Sequence, residues 1–167
     1  TVIGCGPSVR GLDPLERNAQ ESQVKALLVM ANRALSSGIE IELDNARSAL
    51  QLAREIKSDD VRVIDGWGCY ELRVGNIKEA IKYFQEAIKL SPAYDGPYAH
   101  LAEVAIKKRD WKSALELFKI ALELNPVNYQ TRNNYAILLY EQGERGKAKE
   151  EMRKAYINSL GREETIR

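Results

Sequence analysis

The sequence repeats itself every 34 residues, in blocks that start at Val61, Asp95 and Tyr129. In each block alanine occupies positions 20 and 27, and a bulky side chain occupies position 24. These residues are Ala80, Ala114 and Ala148; Ala87, Ala121 and Ala155; and Phe84, Phe118 and Met152. A gapless repeat of this length predicts that one small structural unit is stacked on copies of itself.

Each block is predicted to form a pair of helices. In its second half, apolar residues such as Ala80, Ile81 and Phe84 recur every three or four positions, which indicates one face of a helix. The small residues let two helix axes approach to about 8–10 Å. The two helices of a block are separated by breaks at Gly75-Asn76, Arg109-Asp110 and Gly143-Glu144. At these breaks Asn76 and Asp110 are suited to cap the second helix. Pro92 and Pro126 come directly after the second helices and are expected to end them.

A more divergent unit precedes these blocks. Ala46, Leu50 and Ala53 lie 34 residues before Ala80, Phe84 and Ala87, which predicts a second helix at about 43–57. Asp13-Pro14 followed by Glu16 predicts the start of a long first helix, from about 14 to 36. Its expected core residues are Leu27, Met30, Ala31 and Ala34, and the loop Gly38–Leu43 is expected to be three residues longer than the other hairpin loops.

The spacing of the small, bulky and proline positions resembles that of tetratricopeptide repeat (TPR) proteins. The resemblance implies an all-α fold, a right-handed α-solenoid of about four helix hairpins. We expect a flexible tail at 1–13, a repeat domain at 14–160 and a C-terminal tail at 161–167. Within the domain, the divergent unit spans about 14–58, and the regular repeats span 61–94, 95–128 and 129–160. Leu160 stands where proline is common in the family. We therefore expect the last helix to end near residue 159 and to fray there.

Composition and residue content argue against several functions. Lys plus Arg number 25 and Asp plus Glu 24, so no strong positive charge favours nucleic acid. The single histidine, His100, has no sequence neighbour that indicates a catalytic triad or a metal site, and two cysteines form no metal motif. We therefore expect no enzyme activity, no cofactor and no metal, and a protein or peptide segment as the partner.

In proteins that this chain resembles, the first helices of successive repeats line a concave groove. Carrying over the groove positions of the family gives these candidate partner-binding residues: Arg62, Asp65, Cys69 and Arg73 in the second repeat; His100 and Glu103 in the third; Gln130, Asn133, Asn134, Ile137 and Tyr140 in the fourth, with Leu72, Ala99 and Ile106 beside them. For Asn133 and Asn134 two interpretations stay open, contact with a partner's backbone or packing between repeats.

Chaperone-binding members of the family hold a C-terminal carboxylate with lysine and asparagine at positions 5 and 9. Here these positions hold Asp65 and Cys69, then Ala99 and Glu103. An acidic side chain at that place repels a carboxylate, which argues against a cochaperone.

The start of the sequence resembles a bacterial lipobox. In Val2-Ile3-Gly4-Cys5 an aliphatic residue stands three places before a cysteine that would be lipidated, and small polar residues follow. The resemblance implies a lipoprotein of the outer membrane that faces the periplasm, anchored through Cys5, with a signal peptide upstream of Thr1. The stretch from Asn133 to Gln142 is similar to a family of TPR lipoproteins, the pilotin-like proteins that assist type IV pilus secretin assembly.

Two alternatives to a tethered scaffold remain from the sequence. One is a cytoplasmic TPR adaptor or cochaperone, and the other is the regulatory TPR portion of a larger protein. A solenoid also needs its last apolar face covered. We therefore expect Met152, Tyr156 and Leu160 to be covered by a neighbouring chain, as in an oligomer, or by further residues.

Overall fold

The computed structural model describes residues 13–37, 39 and 42–164, with side chains through residue 160. These residues form the helices α1 (Pro14–Ser36), α2 (Glu42–Ile56), α3 (Val61–Arg73), α4 (Ile77–Leu90), α5 (Gly96–Lys107), α6 (Trp111–Leu124), α7 (Tyr129–Glu141) and α8 (Arg145–Glu164). The described part of the chain contains no strand, which confirms the all-α prediction. None of these helices is long and apolar enough to cross a bilayer.

The chain forms two compact units, residues 1–58 and 59–167. The described part of the first unit is the hairpin of α1 and α2, and the second unit contains the three hairpins from α3 to α8. The predicted lipobox, including Cys5, lies outside the described residues.

The first helix starts where the sequence predicts. The Asp13 carboxylate accepts a hydrogen bond from the Glu16 backbone N–H at 2.8 Å, and the Glu16 carboxylate accepts one from the Asp13 N–H at 3.1 Å. This reciprocal arrangement is a capping box, and it satisfies two backbone donors at the helix start. Pro14 occupies the first turn, where a missing N–H costs nothing.

The core of the first unit contains two of the four core residues predicted on α1, Ala31 and Ala34, whereas Leu27 is only half-buried. Val24, Leu28, Ala31 and Ala34 of α1 are buried together with Ala46, Leu50 and Ala53 of α2. Met30 is 61% exposed, so its predicted core position was wrong. The buried positions 24, 28 and 31 step by four and three residues along one face, and position 30 falls outside that face.

The second helix of this unit also starts inside the predicted loop. Glu42 and Asp44 lie in the first turn of α2, where negative charge is favourable beside the exposed backbone N–H groups. The loop between α1 and α2, residues 37–41, is therefore longer than the three-residue loops of the later hairpins, as predicted, but by two residues and not by three.

The three hairpins of the second unit turn in the same way. Position 15 of each block has a positive backbone φ angle: 90° at Gly75, 61° at Arg109 and 83° at Gly143. Glycine adopts this left-handed conformation without a steric cost, whereas Arg109 adopts it with a side chain. The repeat in sequence is thus also a repeat in backbone conformation.

The landmark alanines occupy equivalent places in the successive hairpins, as predicted. All six at positions 20 and 27 are buried, and Phe84 and Phe118 are fully buried at position 24. Met152, at the same position of the last block, is 44% exposed because no further hairpin packs on α8 within the described residues. Tyr156 and Leu160 are exposed as well, so their covering by another chain or by further residues stays a prediction.

Two details at the helix ends differ from the predictions. Asp110 caps α6 by accepting from the Ser113 N–H at 3.1 Å, but Asn76 makes no side-chain cap on α4. Its amide instead donates to the Glu71 carboxylate at 2.7 Å. The helix α8 continues to Glu164, past the predicted end near 159, because Leu160 in place of a proline does not stop a helix.

Candidate binding face

The first helices of neighbouring repeats pair through the same two block positions. Cys69 Sγ, at position 9, lies 3.4 Å from Nδ1 of His100, at position 6 of the next block. Glu103, again at position 9, accepts a hydrogen bond from the Asn134 amide, again at position 6, at 3.2 Å. Both pairs are separated by 31 residues. We call the five residues on α3, α5 and α7 the polar wall: Asp65, Cys69, His100, Glu103 and Asn134.

His100 is the centre of the polar wall. Its Nδ1 lies 2.9 Å from Oδ1 of Asp65, and Oδ2 of Asp65 lies 3.4 Å from the Tyr94 hydroxyl. The Asp65 side chain is only 6% exposed, whereas that of His100 is 28% exposed. The imidazole also packs on Phe84, with ring centroids 5.3 Å apart. A buried carboxylate is thus satisfied by side chains from outside its own helix.

The charges in this group determine which atoms carry protons. Burial by itself lowers the pKa of His100, but the negative charge of Asp65, the nearby Cys69 and hydrogen bonds to both raise it well above its usual value. Burial, more than any neighbour, raises the pKa of the Cys69 thiol, and burial together with the Asp65 charge raises that of Tyr94. These surroundings therefore favour the protonated imidazole of His100 beside Asp65 and the protonated thiol of Cys69.

The other polar contact ties α5 to α7 directly. The Asn134 amide donates its hydrogen bond to Glu103, a residue of the neighbouring repeat. For Asn134 the structure therefore supports the interpretation of packing between repeats. Asn133 is exposed.

Four exposed residues follow one side of α7 and lie next to Asn134. They are Gln130, Asn133, Ile137 and Tyr140, at steps of three, four and three residues, which is the spacing of one helix face. Ile137 is 44% exposed and Tyr140 55%. The guanidinium of Arg145 lies 5.8 Å from the Tyr140 ring centroid, within the range of a cation–π contact. We call these four residues the α7 stripe.

The structure therefore divides the predicted groove residues into distinct sets. The polar wall is engaged in contacts within the chain, whereas the α7 stripe and Arg73 face solvent. Arg62 donates to Asp60, with Nε 2.9 Å from Oδ1. Of the residues beside them, Ala99 is buried, and Leu72 and Ile106 pack against hydrophobic clusters.

The grouping of Asp65, Cys69 and His100 was not expected from the sequence. His100 was considered only with its neighbours along the chain, whereas its partners lie 31 and 35 residues earlier. The signal that could have found the grouping is the repeat itself, since positions 5 and 9 of one first helix lie beside position 6 of the next.

Helix hairpins that recur every 34 residues, pack through small residues and pair their first helices define a helical-repeat protein. The family comparison agrees: residues 68–94 and 100–159 each match a family model described as "Tetratricopeptide repeat". The chain therefore contains tetratricopeptide repeats, and such repeats indicate a protein-interaction scaffold.

Two curated relatives share part of the sequence. The chain is 33% identical to the "Photosystem I assembly protein Ycf3" of Cyanophora paradoxa over 84 residues, which are 48% of this chain and 49% of that protein. It is 29% identical to the "BBSome complex member BBS4" of Bos taurus over 100 residues, 60% of this chain and 19% of that protein. The chain thus spans about half the length of the first relative and about a fifth of the second.

Solved structures share the fold. MamA has a TM-score of 0.59 at 18% identity, covering 88% of this chain and 84% of that chain. A mutant O-GlcNAc transferase of Thermobaculum terrenum has a TM-score of 0.59 at 22% identity, covering 72% of this chain but only 22% of the enzyme. At these identities the likeness concerns the fold alone.

Proposed function

We propose that this chain is a non-catalytic scaffold that holds a segment of another protein against the α7 stripe and helps to assemble a protein complex. The observation that carries the proposal is the stripe itself. It lies on a first helix of a tetratricopeptide repeat and exposes two large side chains, Ile137 and Tyr140. One relative, Ycf3, is by its name an assembly protein, which supports the assembly role.

The side chains of the stripe suit an extended polypeptide. The amides of Gln130 and Asn133 can each donate to and accept from a peptide backbone. Ile137 and Tyr140 offer apolar surface, and tyrosine is among the residues that most often dominate binding energy at interfaces. The polar wall next to the stripe is fixed by its own hydrogen bonds, so the partner meets a surface that is already ordered.

The state of Cys69 supports a non-catalytic role. A cysteine nucleophile requires the thiolate, and enzymes lower the thiol pKa to obtain it. Here burial raises the pKa of Cys69 instead, and His100 is already paired with Asp65. The group of Asp65, Cys69 and His100 therefore lacks the activated thiolate that nucleophilic chemistry needs.

A photo-crosslinking amino acid placed at Tyr140 tests the binding face in the cells that make the protein. We expect adducts with one polypeptide from position 140 and none with that polypeptide from position 90. Leu90 is the control because it is a large side chain of comparable exposure, 50% against 55%, on α4, the second helix of a different hairpin.

Binding of the crosslinked segment to purified chain gives the quantitative test. Tyr140→Ala and Ile137→Asp are each expected to weaken binding about tenfold or more, equivalent to roughly 1.4 kcal/mol. Leu90→Ala should leave the affinity unchanged. If both stripe variants bind the segment as tightly as the unaltered chain, the stripe is not the binding face.

We also propose that the scaffold is tethered to the outer membrane of a bacterium and serves an envelope or pilus-type complex, as the lipobox-like sequence at Cys5 suggests. Expression of the full-length gene in bacteria supplied with radioactive palmitate tests this. We expect label in the unaltered protein and none in Cys5→Ser. Equal labelling of both proteins would contradict the anchor at Cys5, and no label in either would contradict the tether and favour a cytoplasmic adaptor.

A further inference from the structure

We propose that Asp65, Cys69 and His100 form a binding site for one divalent metal ion, with zinc as the best fit. The three ligand atoms lie within 4.8 Å of one another. They come from two helices, α3 and α5, that also pack through a shared apolar cluster. The inference goes beyond the proposed function and does not depend on the identity of a partner.

The donor set and its spacing match a zinc site. Zinc takes cysteine sulfur, histidine nitrogen and carboxylate oxygen at about 2.0–2.3 Å, which in a tetrahedron separates these ligand atoms by about 3.3–3.6 Å. Cys69 Sγ lies 3.4 Å from His100 Nδ1, close to that separation. Nδ1 lies 2.9 Å from Asp65 Oδ1, a hydrogen-bond distance that widens when an ion replaces the proton.

The charge balance also favours a divalent ion. Binding displaces the proton from the thiol and the proton from the imidazolium. The ion's two positive charges are then balanced by the carboxylate of Asp65 and the thiolate of Cys69, while His100 is neutral. The charge of the bound ion is thus matched by its own ligands, so no unpaired charge is left among partly buried groups.

Access to the site requires one adjustment. Cys69 Sγ is nearly equidistant from the two ring nitrogens, 3.4 Å and 3.5 Å, which places it against the ring face and not in line with one nitrogen. The imidazole must therefore turn to direct Nδ1 at the ion. Its side chain is 28% exposed, so the ion can enter from solvent, and water completes the fourth coordination position.

Cobalt(II) is the probe for the test, because a thiolate bound to it gives an intense near-ultraviolet absorption band. Full-length chain is first stripped of metal with a chelator and then titrated. We expect one ion per chain and a sulfur-to-cobalt band that one equivalent of zinc removes. Cys69→Ser should lose the band. His100→Gln should bind cobalt at least about tenfold more weakly, because even the loss of a residue that only supports a metal ligand lowers metal affinity about 10–100-fold.

The second cysteine provides the matched control. Cys5→Ser should keep both the band and the affinity. A band that disappears in Cys5→Ser and persists in Cys69→Ser would overturn the proposal, as would the absence of any band in the unaltered chain at stoichiometric cobalt.

Thermal unfolding gives a second measurement, which does not require the Cys69→Ser variant to fold. Zinc should raise the unfolding temperature of the unaltered chain and of Cys5→Ser, because an ion that binds only the folded state stabilises it. It should not raise that of His100→Gln or Asp65→Asn. An equal rise in those two variants would also overturn the proposal.

Discussion

Asp65 is a buried carboxylate on α3, with its side chain 6% exposed. Moving such a group out of water is unfavourable unless partners replace the lost hydration. Asp65 obtains them from His100 at one oxygen and Tyr94 at the other. The contact with His100 connects α3 to α5, so a single residue that is costly by itself becomes a specific connection between two repeats.

At the residue scale, the His100–Asp65 pair predicts a pH-dependent stability. The pKa of His100 is raised well above its ordinary value of 6.5, so the folded chain holds the proton more tightly than the unfolded chain. This stabilisation is fully present below the unfolded pKa and is lost as pH rises through the folded pKa, with a slope of at most about 1.4 kcal/mol per pH unit for one proton. Cys69 and Tyr94, whose pKa values are also raised, act in the same direction at higher pH.

Urea unfolding of metal-free chain from pH 6 upward measures this effect. In His100→Gln, which has no titrating ring, the part of the decline that begins near neutral pH should disappear, while the decline due to Cys69 and Tyr94 remains. A stability that is flat or rises over this range in the unaltered chain would contradict the assigned shift.

At the scale of helices, Gly68 determines how closely α4 packs on α3. A Cβ atom added at Gly68 would lie 2.6 Å from Phe84 Cδ1, and Phe84 is fully buried. The later blocks have alanine at the equivalent position, Ala102 and Ala136. The missing side chain at Gly68 therefore makes room for the Phe84 ring, which in turn packs on His100.

We therefore predict that Gly68→Ala destabilises the chain by about 1–3 kcal/mol, the usual cost of overpacking a filled core. Gly146→Ala is the matched control, because a Cβ atom there meets nothing within 4 Å in α8. That variant should gain up to about 0.5–1 kcal/mol, since alanine loses less conformational freedom than glycine in a helix. Denaturant midpoints of both variants give the comparison; an equal gain in both would mean that Phe84 moves aside without cost.

The sequence predicted the helices better than the contacts between them. The Asp13 cap and Pro92 act locally, so the start of α1 and the end of α4 could be predicted from neighbouring residues. The buried face of α1 could be predicted only in part, because its apolar residues fit more than one face. Ala31 and Ala34 are buried as predicted, but Met30 is exposed and Val24 is buried in addition. The Asp65–His100 pair joins different blocks, so it became visible only when the helices were placed side by side.

At the scale of the whole molecule, the hydrophobic clusters of the second unit do not stop at the ends of the hairpins. Val104 of α5 is buried with Ala80 and Phe84 of α4, and Leu138 of α7 is buried with Phe118 of α6. The second and third hairpins of this unit therefore each complete the core of the hairpin before them. Such coupling makes the stability of a repeat depend on its neighbours.

This coupling predicts which pieces of the chain fold alone. A fragment of residues 59–167 keeps Asp60, whose carboxylate caps α3, and the clusters of all three hairpins, so it should be helical and unfold in one cooperative transition. The single hairpin of residues 95–128 should be largely unfolded, because Val104 and Phe118 lose the neighbours that bury them and isolated helices of this length are marginal in water. Far-ultraviolet circular dichroism with urea titration distinguishes the two. Strong helicity in the isolated hairpin would mean that its stability is local, and the clusters that cross from one hairpin to the next would then contribute little to the fold.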